Sequence, residues 1–185
     1  DFAATASSAR FSQPLARMPR TTRVDYPNAI NHVMVRGVAG RPIFADDQDR
    51  MVFLSRADKL FSGADSRCLV WSLMTNHAHQ QTQTLGCPLS KIMHRQGTAY
   101  AHYFNKRHDR RGHLFQNRYK SLLVGNEDYL FRLVRYVLLN PIRANIVSDL
   151  HELRDYRWTS YPALMGRTKP LAFDAEGTLN LFGTT

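Results

Sequence analysis

The stretch SRCLVWSLMTNHAHQQTQ, residues 66–83, decides how the chain is read. Apolar residues dominate its first half, Thr75–Asn76 interrupts it, and a shorter run follows. Two such runs around a brief break predict a β-hairpin with strands over 67–74 and 77–83. Strand side chains alternate, so His77 and His79 face the same way across Ala78. Two imidazoles on one face are either packed residues or half of a metal site. A metal site needs further donors from elsewhere in the chain.

Working outward, the apolar run after YPNA predicts a strand over 29–37. ADDQDRMVFLSRADKLFSG carries acids in its first turn and Met51, Phe53, Leu54, Leu60 and Phe61 as an apolar set, which predicts a helix over 46–62 stopped by Gly63. Downstream of the hairpin, Pro88 opens a segment with Leu89, Ile92, Met93, Gln96, Tyr100, Tyr103 and Phe104 at helical spacing, a helix over 88–108 that Gly97 weakens. YKSLLVG reads as a strand over 119–124. NEDYLFRLVRYVLLNP is a helix over 126–141, with Asn126 as its cap, Glu127 and Asp128 in the first turn and Pro141 at its end. DYRWTSYPALMG suits one more short helix. The order β-α-β-β-α-β-α describes an α+β fold, an antiparallel β-sheet flanked by α-helices in a ferredoxin-like arrangement.

The 185 residues fit one domain with a real core, 43% of them being hydrophobic. Residues 1–19 read as a flexible N-terminal arm, and their Arg and Ser content with almost no acid also suits a transit peptide. The domain itself is expected over 20–166, with 167–185 as a C-terminal tail. No apolar run is long enough to span a bilayer, and the two cysteines, Cys68 and Cys87, fall in no metal-ligand spacing. A reducing, cytoplasmic setting follows. Lys and Arg number 25 against 15 acids, a formal charge of +10 that favours a polyanionic partner such as nucleic acid.

The helix over 126–141 has two faces. Leu130, Leu133, Val134, Val137 and Leu138 form a core stripe, while Arg132, Tyr136 and Asn140 recur at intervals of four along another face. Tyr136 is by itself either a packing residue or a nucleophile. Beside His77 and His79, Asn140 offers a third metal donor, and Tyr136 would then sit next to whatever the metal binds.

At this point HVMVRG, RPIF, LMTNHAH, YFNKRHDRRGHLFQNRYKSLLV, YLFRLVRYVLLNPIRANIV and YRWTSYPALMG, taken in order and spacing, resemble the REP-associated tyrosine transposases. These are single-tyrosine transposases of the HUH endonuclease superfamily. The resemblance runs from about Pro19 to Gly166. It implies an HUH nuclease fold, His77 and His79 as metal ligands with Asn140 as a further ligand, and Tyr136 as nucleophile. It also implies a divalent cofactor, Mg²⁺ or Mn²⁺, and single-stranded hairpin DNA as substrate. Attack by Tyr136 would leave a 5′-phosphotyrosine link and a free 3′-hydroxyl, so strands can be rejoined. The base that takes the phenolic proton is not identified, and the chain reads as monomer or homodimer.

Two departures stand out. The family usually places apolar residues where this chain has Gln80 and Gln81, and Thr75 stands where it commonly has proline. Gln80 shares the face of Ala78, so either the strand is partly exposed or Gln80 finds a partner. The alternative function is accordingly a catalytically weak or inactive DNA-hairpin-binding protein in the nucleoid. For DNA contact the candidates are Arg110, Arg111, His113, Phe115, Arg118 and Lys120 in and after the basic loop, Arg20 and Arg23 near the N-terminus, and Arg36, Arg132 and Arg143 beside the motifs. Trp158 is either a cap on the core or a base platform. Tyr100 and Tyr103 read as core, and His94, His102 and His108 as surface or phosphate-contact residues.

Overall fold

The computed structural model describes residues 26–62 and 65–183. Arg20, Arg23, the N-terminal arm and Gly63 lie outside the described residues. The elements run β1 (Ile30–Arg36), α1 (Asp47–Phe61), β2 (Ser66–Leu73), β3 (His77–Thr84), α2 (Leu89–Arg107), β4 (Lys120–Leu123) and α3 (Glu127–Leu138). Short helices follow: α4 (Asn140–Arg143), α5 (Leu150–Leu153), α6 (Tyr161–Leu164) and α7 (Ala175–Asn180). Among the described residues the strands form one antiparallel sheet in the order β2-β3-β1-β4. This is the ferredoxin-like α+β arrangement, with the hairpin β2–β3 at one side and β1 in the middle.

The pleat sorts the sheet into two faces. Val33, Val35, Trp71 and Ala78 point into a core shared with Phe53, Leu54 and Ala57 of α1 and Ile92, Met93, Tyr100 and Phe104 of α2. Across the sheet, Val70 meets Leu130, Val134, Val137 and Leu138 of α3. A register shift between Cys68 and Val70 lets β2 serve both cores. The α3 stripe therefore buries the residues its periodicity marks, and Asn126 caps it by accepting from the Tyr129 N–H at 2.8 Å.

One boundary differs from the sequence reading. The helix expected over 126–141 stops at Leu138, and Asn140 opens a separate turn, α4. Pro141 has no N–H to donate and disfavours a helical residue before it, so it sits in the first turn of α4 rather than after a helix end. In the segment set apart as a C-terminal tail, the Asp174 N–H donates to the Cys68 carbonyl at 2.7 Å and Ala172 is buried. The Leu73 N–H likewise donates to the Trp158 carbonyl at 2.8 Å. Together these segments cover the edge that β2 would otherwise expose. Trp158 is part of the core, with the Arg157 guanidinium 4.7 Å from its ring centre, and is not a free base platform.

The loop after β1 clamps the hairpin turn. The Ile43 N–H donates to the Thr75 carbonyl at 2.9 Å and the Gly37 N–H to the Asn76 carbonyl at 2.9 Å. Gly37 has to be glycine, because a Cβ there would meet the Arg41 carbonyl oxygen. Thr75 takes part through its carbonyl alone in these contacts.

One of the two alternatives raised by the sequence, an exposed strand, is excluded. β3 is not exposed, Gln80 is buried, and its amide nitrogen has no hydrogen-bond partner among the described residues. Gln96, on the buried stripe of α2, has neither amide atom partnered among them. A buried, unpartnered amide costs about 1–3 kcal/mol, and methionine fills nearly the same volume with equal helix propensity. Gln96→Met is therefore expected to raise stability by about 1 kcal/mol or more, read as a shifted urea midpoint at unchanged slope. A lower midpoint would mean that the amide is satisfied.

Candidate active site

The face of the sheet beneath α3 carries three histidines. In the β1–β3 register His32 lies opposite Gln81, Met34 opposite His79 and Arg36 opposite His77. All six side chains share that face. Helix α3 crosses it and delivers Tyr136, whose ring centre lies 5.6 Å from that of His79 and 5.9 Å from that of His32, edge-on to both. His77 and His79 have ring centres 5.1 Å apart at a steep angle. Asn140, the first residue of α4, is buried beside His77, whose pKa it raises. The residues chosen from sequence as one constellation are thus neighbours, drawn from one strand and one helix–turn junction.

The second nitrogen of each imidazole is engaged. The Asn76 amide nitrogen donates to the Gly40 carbonyl at 3.1 Å, which turns its Oδ1 toward His77 Nδ1 at 2.7 Å. An amide oxygen only accepts, so His77 carries its proton on Nδ1. His79 Nδ1 lies 2.9 Å from His32 Nε2. The sequence reading missed both His32 and Asn76. Asn76 was read only as a turn residue, and His32 is far from the pair in sequence, so nothing but strand register brings it in.

Burial sets the electrostatics. It pushes the His79 pKa down to about 3, helped by the neighbouring His32 and His77. Burial also lowers His32. His77 is lowered first by burial and further by Arg36, against a raising hydrogen bond from Asn140. All three are neutral at pH 7, the state in which an imidazole can ligate a metal. The unfolded chain takes up protons near pH 6.5, whereas native His79 resists until about pH 3. The His79 contribution to stability is therefore complete above pH 6.5 and falls as pH drops toward 3, by up to about 1.4 kcal/mol per pH unit. Urea midpoints taken between neutral and mildly acidic pH should fall accordingly, and more shallowly in His79→Gln; identical slopes in the two proteins would count against this assignment.

The basic candidates separate into two groups on opposite faces. Lys120 pairs with Met34 and Arg36 with His77, which places both on the histidine face. Arg132, Arg135, Tyr136 and Arg143 line a cleft of about 390 Å³ on the same side. The Arg143 guanidinium lies 5.1 Å from the Tyr136 ring centre. Arg135 was not singled out from sequence, although it directly precedes Tyr136. His113, Phe115 and Arg118 instead line a separate cleft of about 930 Å³ against Met93, His94 and Gly97 of α2, on the side of Val35. Phe115 packs on the core there, 6.4 Å from Tyr100. Arg110 sits 5.5 Å from the Phe104 ring centre and Arg111 is exposed. Tyr100 donates its hydroxyl to the Ile43 carbonyl at 2.6 Å and is wholly buried.

The two cysteines are free. Among the described residues no helix is long and apolar enough to cross a membrane. No group of three His, Cys, Asp or Glu side chains among them is arranged to hold a metal ion. A cation at this face would rely on two imidazoles and an amide.

Comparison with known proteins completes the description. Residues 26–139 match the family profile described as "Transposase IS200 like", a span that includes His77, His79 and Tyr136 and ends just before Asn140. No curated protein matches the chain. A solved structure of a REP-associated tyrosine transposase bound to a REP hairpin superposes with a TM-score of 0.65 at 14% identity, covering 87% of this chain and 93% of that one. At that identity the likeness is one of fold.

Proposed function

Since the chain belongs to the family of IS200-like transposases, we propose that it cleaves and rejoins single-stranded DNA beside an imperfect hairpin, with Tyr136 as the nucleophile. The observation that carries this reading is the approach of Tyr136 from α3 to His79 on β3, ring centres 5.6 Å apart, with buried Asn140 beside His77. Hairpin DNA as the substrate draws on the sequence resemblance and on what the REP-associated transposase was solved with.

The donors suit a divalent cation. His77 and His79 are kept neutral by burial, and Asn140 adds an amide oxygen. These three residues would hold Mg²⁺ or Mn²⁺, which when bound supplies charge neutralisation at the scissile phosphate. The chain's own groups do the rest. The Tyr136 hydroxyl attacks phosphorus: the bond from its oxygen to phosphorus forms, the bond from phosphorus to the 3′ oxygen breaks, and the phenol loses its proton. The departing 3′ oxygen gains one, and the 5′ end stays on Tyr136 as a phosphotyrosine. The covalent link stores the bond energy, so a second 3′-hydroxyl can reverse the step and join a different strand. Arg143 over the Tyr136 ring, with Arg132, Arg135, Arg36 and Lys120 on the same face, would neutralise phosphates flanking the cleaved one.

The test is a labelled single-stranded hairpin incubated with the protein and Mn²⁺, followed by denaturing electrophoresis. A covalent adduct is expected. Retarded hairpin under native conditions without any adduct would instead establish the binding-only function, which the departures at Gln80 and Gln81 keep in view.

A further inference from the structure

His32 was not among the expected site residues, yet it is buried against His79. Their nitrogens, His32 Nε2 and His79 Nδ1, are 2.9 Å apart. The rings lie within 12° of parallel, with centres 5.1 Å apart. That separation with that nitrogen contact describes two rings meeting edge to edge in one plane, the geometry of a straight N–H···N bond.

Such a bond has two polarities, because either imidazole can donate. If His79 donates from Nδ1, its Nε2 keeps a lone pair and is free to ligate. If His32 donates from Nε2, neutral His79 carries its proton on Nε2 and cannot ligate there. The neighbouring His77 has no such choice, because Asn76 presents an oxygen that only accepts. The two imidazoles of the pair are thus backed by different groups, one of fixed and one of reversible polarity.

We propose that His32 is the positioning residue that accepts the His79 Nδ1 proton and so leaves His79 Nε2 free for a divalent cation. This rests on reading His77, His79 and Asn140 as the ligand set. In this polarity His32 carries its own proton on Nδ1, a buried atom with no partner among the described residues. Gln81, directly opposite His32 in the β1–β3 register, has a buried amide whose oxygen is likewise without a partner among them. Hydrogen-bonded groups behind a metal-bound imidazole hold its ring and tautomer, and their loss typically weakens metal binding about 10–100-fold.

The experiment needs no DNA. Mn²⁺ affinity is measured by electron paramagnetic resonance on the wild-type chain, His32→Ala and His32→Gln. The tautomer of His79 is read from long-range proton–nitrogen correlation spectra of histidine-labelled protein, metal-free and with Mg²⁺. His32→Ala should weaken Mn²⁺ binding about tenfold or more and shift His79 toward its Nε2–H form. His32→Gln places an amide oxygen near the lost nitrogen and should recover most of the affinity. Unchanged affinity in His32→Ala with His79 still in its Nδ1–H form would overturn the proposal. So would His79 in its Nε2–H form in the wild-type protein with Mg²⁺ bound, a measurement that does not depend on any variant folding. A wild-type chain that binds no Mn²⁺ would overturn it together with the ligand set. Because the readouts precede DNA, failure to form a Tyr136 adduct would defeat the proposed reaction and leave this inference standing.

Discussion

Tyr136→Phe is expected to abolish the covalent protein–DNA adduct while leaving the fold and hairpin binding essentially unchanged. Phenylalanine keeps the ring that lies edge-on to His79 and His32 and beneath Arg143, so the packing at 5.6, 5.9 and 5.1 Å between ring centres or guanidinium and ring survives. Only the hydroxyl is lost, and with it the atom that would bond to phosphorus. Strand cleavage should fall on the order of 10⁴-fold or more, the scale on which enzymes lose activity when a covalent nucleophile is removed. Two other phenols lie away from the site. Tyr100 is sealed in the opposite core with its hydroxyl on the Ile43 carbonyl, and Tyr129 is exposed at the other end of α3. Affinity should persist because phosphate contacts by arginine and lysine carry most of it. The measurement pairs a denaturing gel for the adduct with a native gel for binding. An adduct of undiminished yield in Tyr136→Phe would remove Tyr136 from the reaction.

Asp49→Ala is expected to be the most damaging single change to stability outside the hydrophobic cores, costing about 3 kcal/mol. The Asp49 carboxylate is fully buried in the first turn of α1. It accepts from the Ala45 N–H at 2.8 Å, from Arg107 at 2.6 Å and from His108 at 2.9 Å. It thereby ties the start of α1 to the end of α2. Removing it strands the Ala45 N–H and the His108 ring and leaves Arg107 with Asp46 alone. Breaking a buried pair costs about 3–5 kcal/mol, and the lower end applies because Arg107 is one-third exposed and partly rehydrates. Urea unfolding at neutral pH measures the loss. A change below about 1 kcal/mol would class the cluster with ordinary surface ion pairs. Arg107, the last residue of α2, is thus committed to the scaffold.

The element order was readable because it rests on local periodicity. The α3 stripe, the hairpin around Thr75–Asn76 and the acid-rich start of α1 each lie within one short window, and each forms where its pattern places it. The break at Leu139 was not readable, because Pro141 is equally at home after a helix and in the first turn of a new one. The candidate constellation was half legible. His77 and His79 share a face by alternation alone, and Tyr136 and Asn140 share one by helical spacing. That those two faces meet is a tertiary fact.

The sequence by itself determined the local frame of the candidate residues, since strand alternation and helical periodicity act over a few residues and depend on nothing distant. Only the tertiary structure decided what lies behind and around them. Strand register set His32 against His79, and the loop from Gly37 to Phe44 turned Asn76 toward His77. The same packing divided one basic segment between two opposite faces of the sheet. Those relations come from pairing between residues as far apart in the chain as Met34 and Lys120, which no local pattern records, because the energy that selects the register comes from the buried face as a whole and not from either strand alone.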